Sequence, residues 1–133
     1  MRLVKRGAFI IVFIVLFIMS FQFQACKNDP IGIEKLDTIY FDSNIASIFS
    51  GGCNLQGCHS AESRKAGLDV TSYASVMKNV AKGNAWKSKI YNVVSEPNNP
   101  NFMPPSGHQA LEINEITKIE VWIQQGAKEK KFQ

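Results

Sequence analysis

An all-α domain of about four short helices is what this sequence predicts, and three observations carry the prediction. Apolar residues recur at helical spacing in four separate stretches: Ile45, Ile48 and Phe49; Tyr73, Val76, Met77 and Val80; Trp86, Ile90, Val93 and Val94; Ile116, Ile119 and Ile123. Each stretch ends at a residue set that breaks a helix: Gly51-Gly52, Lys82-Gly83-Asn84, the proline-rich run from Pro97, and Gly126. Between the first stretch and the second sits Cys53-Asn54-Leu55-Gln56-Gly57-Cys58-His59, which gathers two of the three cysteines and one of the two histidines.

Taken in order, Lys35 to Tyr40 reads as extended, and Asp42 or Ser43 is suited to cap the first helix. Gly51-Gly52 then lets the chain swing into the cysteine loop. After His59 a polar turn, Ser60 to Ala66, closes at Gly67, and Leu68 and Val70 alternate with polar neighbours. Thr71 or Ser72 is suited to cap the second helix, and the third spans about Trp86 to Val94. Pro97 to Gly107 holds four prolines and excludes regular structure; loops of this length in small domains are functional or disordered. The last helix is expected from Ile113 to Gln125, capped at Asn114 and stopped by Gly126, with Trp122 beside its apolar stripe. That stripe reads as core, packed against the first helix.

The N-terminus carries a targeting segment. Arg2, Lys5 and Arg6 precede an unbroken apolar run from Ala8 to Met19, the layout of a secretory signal and short for a membrane span. Phe21 and Phe23 lengthen the run, so an uncleaved anchor is the alternative; either way the domain is exported. Phe23-Gln24-Ala25-Cys26 resembles a bacterial lipobox, although Phe23 and Gln24 are bulkier than usual there. Cys26 is then the acylated first residue of the mature chain, held on a membrane by several acyl chains; the other reading is a spare thiol. The resulting division is 1–25 lipoprotein signal peptide, 26–37 polar tether, 38–128 folded domain and 129–133 tail.

Charge follows from that division. The chain has 15 basic and 11 acidic residues, but three of the basic ones lie in the signal, leaving 12 against 11. The apparent basicity belongs to targeting and makes no case for nucleic acid. Carboxylates such as Glu96 and Glu115 read as solvated faces, so no acid–base pair for catalysis stands out.

The chemistry lies in the cysteine–histidine run. A Cys-x-x-Cys-His sequence attaches c-type haem: two thiols add across the porphyrin vinyl groups and the adjacent histidine meets the iron from one face. Here four residues separate the cysteines, so the loop must bulge, while the Cys58-His59 adjacency is intact. The rival reading is a Cys53–Cys58 disulfide in an oxidising compartment, on a non-haem binding module. Met103, held in an extended path by Pro104 and Pro105, is suited to the sixth position on the iron, since thioether sulfur serves many cytochromes c. Its ordinary reading is a gap-filler in an irregular core; the cysteine–histidine run favours ligation. His108 is the rival sixth ligand, and a histidine in a polar loop more often faces solvent.

These features resemble the small cytochrome c domains of planctomycete and Bacteroidetes type. The resemblance is carried by the Cys53–His59 run, Ala66-Gly67-Leu68-Asp69-Val70, Lys82-Gly83-Asn84 with Ser88 and Tyr91, Met103-Pro104-Pro105, Leu111, and Trp122-Ile123-Gln124-Gln125-Gly126-Ala127. It spans about 80 of the 108 residues that follow the signal. It implies a small class I-like cytochrome c fold around one covalent haem c, with Cys53 and Cys58 as thioether anchors, His59 as proximal ligand and Met103 as distal ligand. The implied function is outer-sphere single-electron transfer between redox partner proteins, alone or beside a larger oxidoreductase, with no small-molecule substrate. Glu112 stands where such domains often place a Ser or Thr cap, which would let the last helix start later. A haem burying on the order of 400 Å² of apolar surface contributes up to about 10 kcal/mol, comparable to the stability of a small domain. The haem-free form is therefore expected to be poorly folded.

Overall fold

The computed structural model describes residues 37–130. The expected signal peptide, Cys26 and most of the expected tether lie outside the described residues, as do residues 131–133. Four α-helices and no strand occur among the described residues: α1 (Ala46–Gly52), α2 (Tyr73–Met77), α3 (Lys89–Ser95) and α4 (Ile113–Gln124). This is a small all-α arrangement consistent with the cytochrome c-like fold that the resemblance implies.

A wide π-type turn, Phe41–Ile45, leads directly into α1. The expected cap at Asp42 or Ser43 is not what starts it. Both lie inside the turn, Tyr40 occupies the capping position, and the side-chain oxygen of Asn44 reaches back to accept the Tyr40 N–H at 2.9 Å. Ile45, Ile48 and Phe49 are all buried, as their apolar spacing predicts. At α2 the expected cap is present, with the Ser72 hydroxyl accepting from the Ser75 N–H.

The third stretch divides. Ala85–Lys87 is a 3-10 turn capped by Asn84, whose side chain accepts from the Lys87 N–H, and α3 proper begins at Lys89. The break removes Trp86 from the inward face where the spacing placed it; its indole is 64 % exposed, packed edge-on against Tyr91 with ring centroids 5.3 Å apart. Ala85 and Tyr91 are buried instead. Ser88 lies at the joint, fully buried. Its hydroxyl accepts from the Ala81 N–H at 2.9 Å and donates to the Asn84 carbonyl at 2.9 Å, so the burial of a polar group is matched by hydrogen bonds.

α4 is the central element. Ile119, Trp122 and Ile123 are fully buried and Ile116 is partly so. The helix packs on the Phe41–Ile45 turn and on α3. Its cap is not Asn114 but Glu112, one step before the helix, whose N–H donates to the Glu115 carboxylate at 2.9 Å. A carboxylate in the first turn also suits the positive end of the helix dipole. The ring of Phe41 meets Phe49, Tyr73 and Trp122 at centroid distances of 6.4, 5.5 and 5.9 Å, which joins α1, α2 and α4 through aromatic contacts. The C-terminal segment closes back over the start of the domain: the Phe41 and Asp42 N–H groups donate to the carbonyls of Lys128 and Glu129, and the Trp122 Nε1–H donates to that same Lys128 carbonyl.

The long segment after Pro97 is irregular, as its prolines require, and is held by turns. One main-chain bond fixes its middle: the Met103 N–H donates to the Val93 carbonyl of α3 at 2.7 Å.

Candidate functional site

The end of α1, the cysteine loop, the end of α3 and the proline segment converge on one cleft. Its lining includes Cys53, Cys58, His59, Val94, Met103 and Leu111, with Gly52, Lys65, Pro104, Pro105 and His108 completing it. The atom-free space is about 610 Å³ with the solvent mouth included. Every site residue expected from the sequence within the described residues is brought here, and the rival His108 with them.

Local hydrogen bonding explains how the cysteine loop takes its form. The Cys53 N–H donates to the Phe49 carbonyl, so the first thiol sits on the last turn of α1. The His59 N–H returns to the Cys53 carbonyl at 3.1 Å, and the Cys58 N–H donates to Leu55 at 2.9 Å, which closes the loop on itself. The bulge demanded by four intervening residues is taken up at Gly57, whose φ of +79° is open to glycine at little cost. Its N–H donates to the Ser63 hydroxyl at 2.8 Å, tying the bulge to the following polar turn. The turn is anchored in return by the Lys65 N–H on the Cys58 carbonyl and the Val70 N–H on the His59 carbonyl, each at 2.9 Å.

His59 is oriented by a residue that sequence reasoning did not single out. Its Nδ1 lies 3.0 Å from the Lys65 carbonyl oxygen. A carbonyl can only accept, so Nδ1 carries the proton and Nε2 keeps a free lone pair, the tautomer a metal-binding imidazole needs. The missed partner is a main-chain oxygen, which has no residue-type signature. The Val93 carbonyl that holds Met103 has no such signature either.

Cys53 and Cys58 are both free thiols, each partly buried. Burial pushes the Cys53 thiol up from its ordinary value, and the neighbouring Cys58 and Glu115 act in the same direction. Cys53 is therefore held as the neutral thiol in a mostly apolar setting. Glu115 is half-buried and accepts from the Glu112 N–H. Met103 packs partly buried against the core, while His108 is exposed.

The donor set suits haem c. There are two thiols for thioether bonds, an imidazole with its lone pair free, a thioether sulfur, and walls of Val94, Leu111 and prolines to exclude water. The lining contains no carboxylate. Among the described residues no group of three or more His, Cys, Asp and Glu side chains is placed to hold a bare metal ion. No described helix is long and apolar enough to cross a membrane.

The family model described as Planctomycete cytochrome C matches residues 56–107, and this supports a planctomycete-type cytochrome c domain. The matched stretch includes Cys58, His59 and Met103, and begins three residues after Cys53. Such a domain implies covalently bound haem c and electron transfer. No curated protein and no solved structure matches the chain.

Proposed function

On the premise of a planctomycete-type cytochrome c domain, we propose that this protein is a monohaem c-type cytochrome, tethered to a bacterial membrane and passing single electrons between redox proteins outside the cytoplasm. The observation that carries the reading is the convergence of Cys53, Cys58, His59 and Met103 on one cleft, with the His59 tautomer set by Lys65.

Haem c bound there supplies an iron that accepts and returns one electron. Cys53 and Cys58 would hold it through thioether bonds, and His59 Nε2 and the Met103 sulfur would be its iron ligands. With the iron held by two protein ligands there would be no place for a substrate, so transfer would be outer-sphere and the chain's work would be to set the potential. The residues do this in two ways. The His59 Nδ1–H donated to a carbonyl raises the basicity of the ring as a ligand, and Val94, Leu111 and the prolines keep water from the iron's surroundings. The thioether of Met103 favours the reduced state relative to a second imidazole. The tether reading rests on Cys26 as the lipidated residue and on the signal-like segment before it, which together make an exported, lipid-anchored protein. No nucleic-acid or small-molecule partner is proposed.

A haem stain on a denaturing gel, after expression with a bacterial cytochrome c maturation system, tests the reading. A stained band that disappears in the Cys53→Ala, Cys58→Ala double variant supports it, because thioether-bound haem survives denaturation. An unstained band, with a control cytochrome matured in the same cells, leaves a disulfide-stapled binding module instead.

A further inference from the structure

We propose that His108 is a reserve axial ligand: a second metal-seeking side chain in the same cleft, which takes the position opposite His59 when Met103 leaves it. The inference rests on the cytochrome reading above.

Met103 and His108 line one cleft and stand five residues apart on one irregular segment, but they are held very differently. Met103 is packed against the core, and its N–H is fixed to the Val93 carbonyl of α3 at 2.7 Å. His108 is exposed, and its imidazole has no hydrogen-bond or ionic partner among the described residues. Its one main-chain bond is local, from its N–H to the Pro105 carbonyl at 3.2 Å. Gly107 precedes it at φ +92°, a position where the backbone can pivot with little steric cost. Segments with few buried contacts open at low free energy. One ligand is therefore resident and the other is free to visit.

The chemistry gives the visitor a use. Imidazole nitrogen is a common ligand for iron, and it is harder than thioether sulfur, so oxidised iron favours it more than reduced iron does. In the exchange one iron–sulfur bond breaks and one iron–nitrogen bond forms. The neutral imidazole brings its own lone pair, so no electron or proton is gained or lost. A Met103 converted to its sulfoxide by a peroxide would no longer offer a soft sulfur, and His108 would keep the iron six-coordinate at a lower potential. The site would then stay closed to small ligands.

The test uses matured, haem-loaded protein in four forms: wild type, Met103→Ala, His108→Ala and the double variant. Electron paramagnetic resonance and absorption of the oxidised proteins read the spin state. Wild type and His108→Ala should be low-spin with the methionine-to-iron band. Met103→Ala should lose the band yet remain low-spin, to an extent independent of protein concentration, and the double variant should turn high-spin. Added imidazole should bind the double variant about tenfold or more tightly than Met103→Ala, because an internal ligand at roughly millimolar effective concentration must be displaced in the latter. Because His108 is exposed, its replacement leaves the core untouched, and a thermal melt checks this. A high-spin Met103→Ala, or equal imidazole affinity in the two variants, overturns the proposal while leaving the cytochrome reading intact. Low spin lost in His108→Ala but kept in Met103→Ala makes His108 the resident ligand and overturns the reserve role. Wild type with no covalent haem overturns both readings.

Discussion

The imidazole Nδ1 of His59 and the main-chain carbonyl of Lys65 stand 3.0 Å apart, so a side chain expected to carry the chemistry takes its direction from the backbone of a solvent-exposed lysine. The same residue donates its N–H to Cys58 at 2.9 Å, and Lys65 thus braces both members of the Cys58-His59 pair.

The first prediction follows from that brace. Lys65→Ala keeps both main-chain groups and should leave the haem spectrum of the matured protein unchanged. Lys65→Pro removes the donor to Cys58 and constrains Arg64, which already sits at φ +43°. It should cost about 1–3 kcal/mol and lower the yield of haem-loaded protein, read by denaturant melts and by absorbance per mole of chain.

Met103→His exchanges a thioether for an imidazole at the proposed sixth position. The methionine-to-iron band should vanish and the reduction potential should fall, since methionine ligation raises it. A potentiometric titration in which the variant overlays wild type would remove Met103 from the ligand set.

Trp122 is fully buried, touches Phe41 and donates to the Lys128 carbonyl. Trp122→Ala should cost about 3–5 kcal/mol in chemical denaturation of the haem-loaded protein. Ile113→Ala, at a residue 71 % exposed on the same helix, should shift the midpoint little.

Acid should act partly through Asp69. The Thr71 hydroxyl donates to its carboxylate at 2.6 Å and the Thr71 N–H at 2.9 Å, and these bonds, against some cost of burial, hold its carboxyl below the usual range. The folded state therefore favours the ionised form. Its contribution is complete above the unfolded value near pH 4 and is lost as pH falls through the lower folded value. Asp69→Asn should be less stable than wild type at neutral pH, and the gap should narrow in melts taken below about pH 4. A gap that stays constant down to the most acidic melt would count against the role assigned to Asp69.

Removing the cofactor should loosen the domain, because the cleft lies between the end of α1 and the joined α3 and Met103 segment, where haem would bridge them. The Cys53→Ala, Cys58→Ala variant, produced without haem, should give poorly dispersed amide resonances. Sharp, dispersed spectra would show that the aromatic cluster around Phe41 suffices alone.

The parts of this fold that were legible in the sequence are those written in side chains at a fixed period. Ile119, Trp122 and Ile123 announce a buried face because burial selects apolar residues three and four apart, and Ser72 announces a helix start because its hydroxyl does the capping. Trp86 misled for a definite reason: its spacing to Ile90 fits a helix, but the buried Ser88 ends one turn and starts another, and this rotates the indole outward. Asn114 is the better residue type for a cap, yet Glu115 reaching back to the Glu112 N–H sets the cap two residues earlier. The candidate ligands were legible from residue type and order. Their supports at Lys65 and Val93 were not, because a carbonyl oxygen is the same in every residue.

The pairing of Phe41 and Asp42 with Lys128 and Glu129 has a mechanical consequence. A pull applied through the chain that precedes the domain is met first by the bonds of the Gln125 side chain to Asp37 and Ile39, and then by these two. Peeling them would free the C-terminal segment and the Lys128 carbonyl that Trp122 uses, while the loop from Cys53 to Lys65 lies farther along the chain. Tension should thus fray the closing strap and strain the aromatic core before it reaches the His59 imidazole.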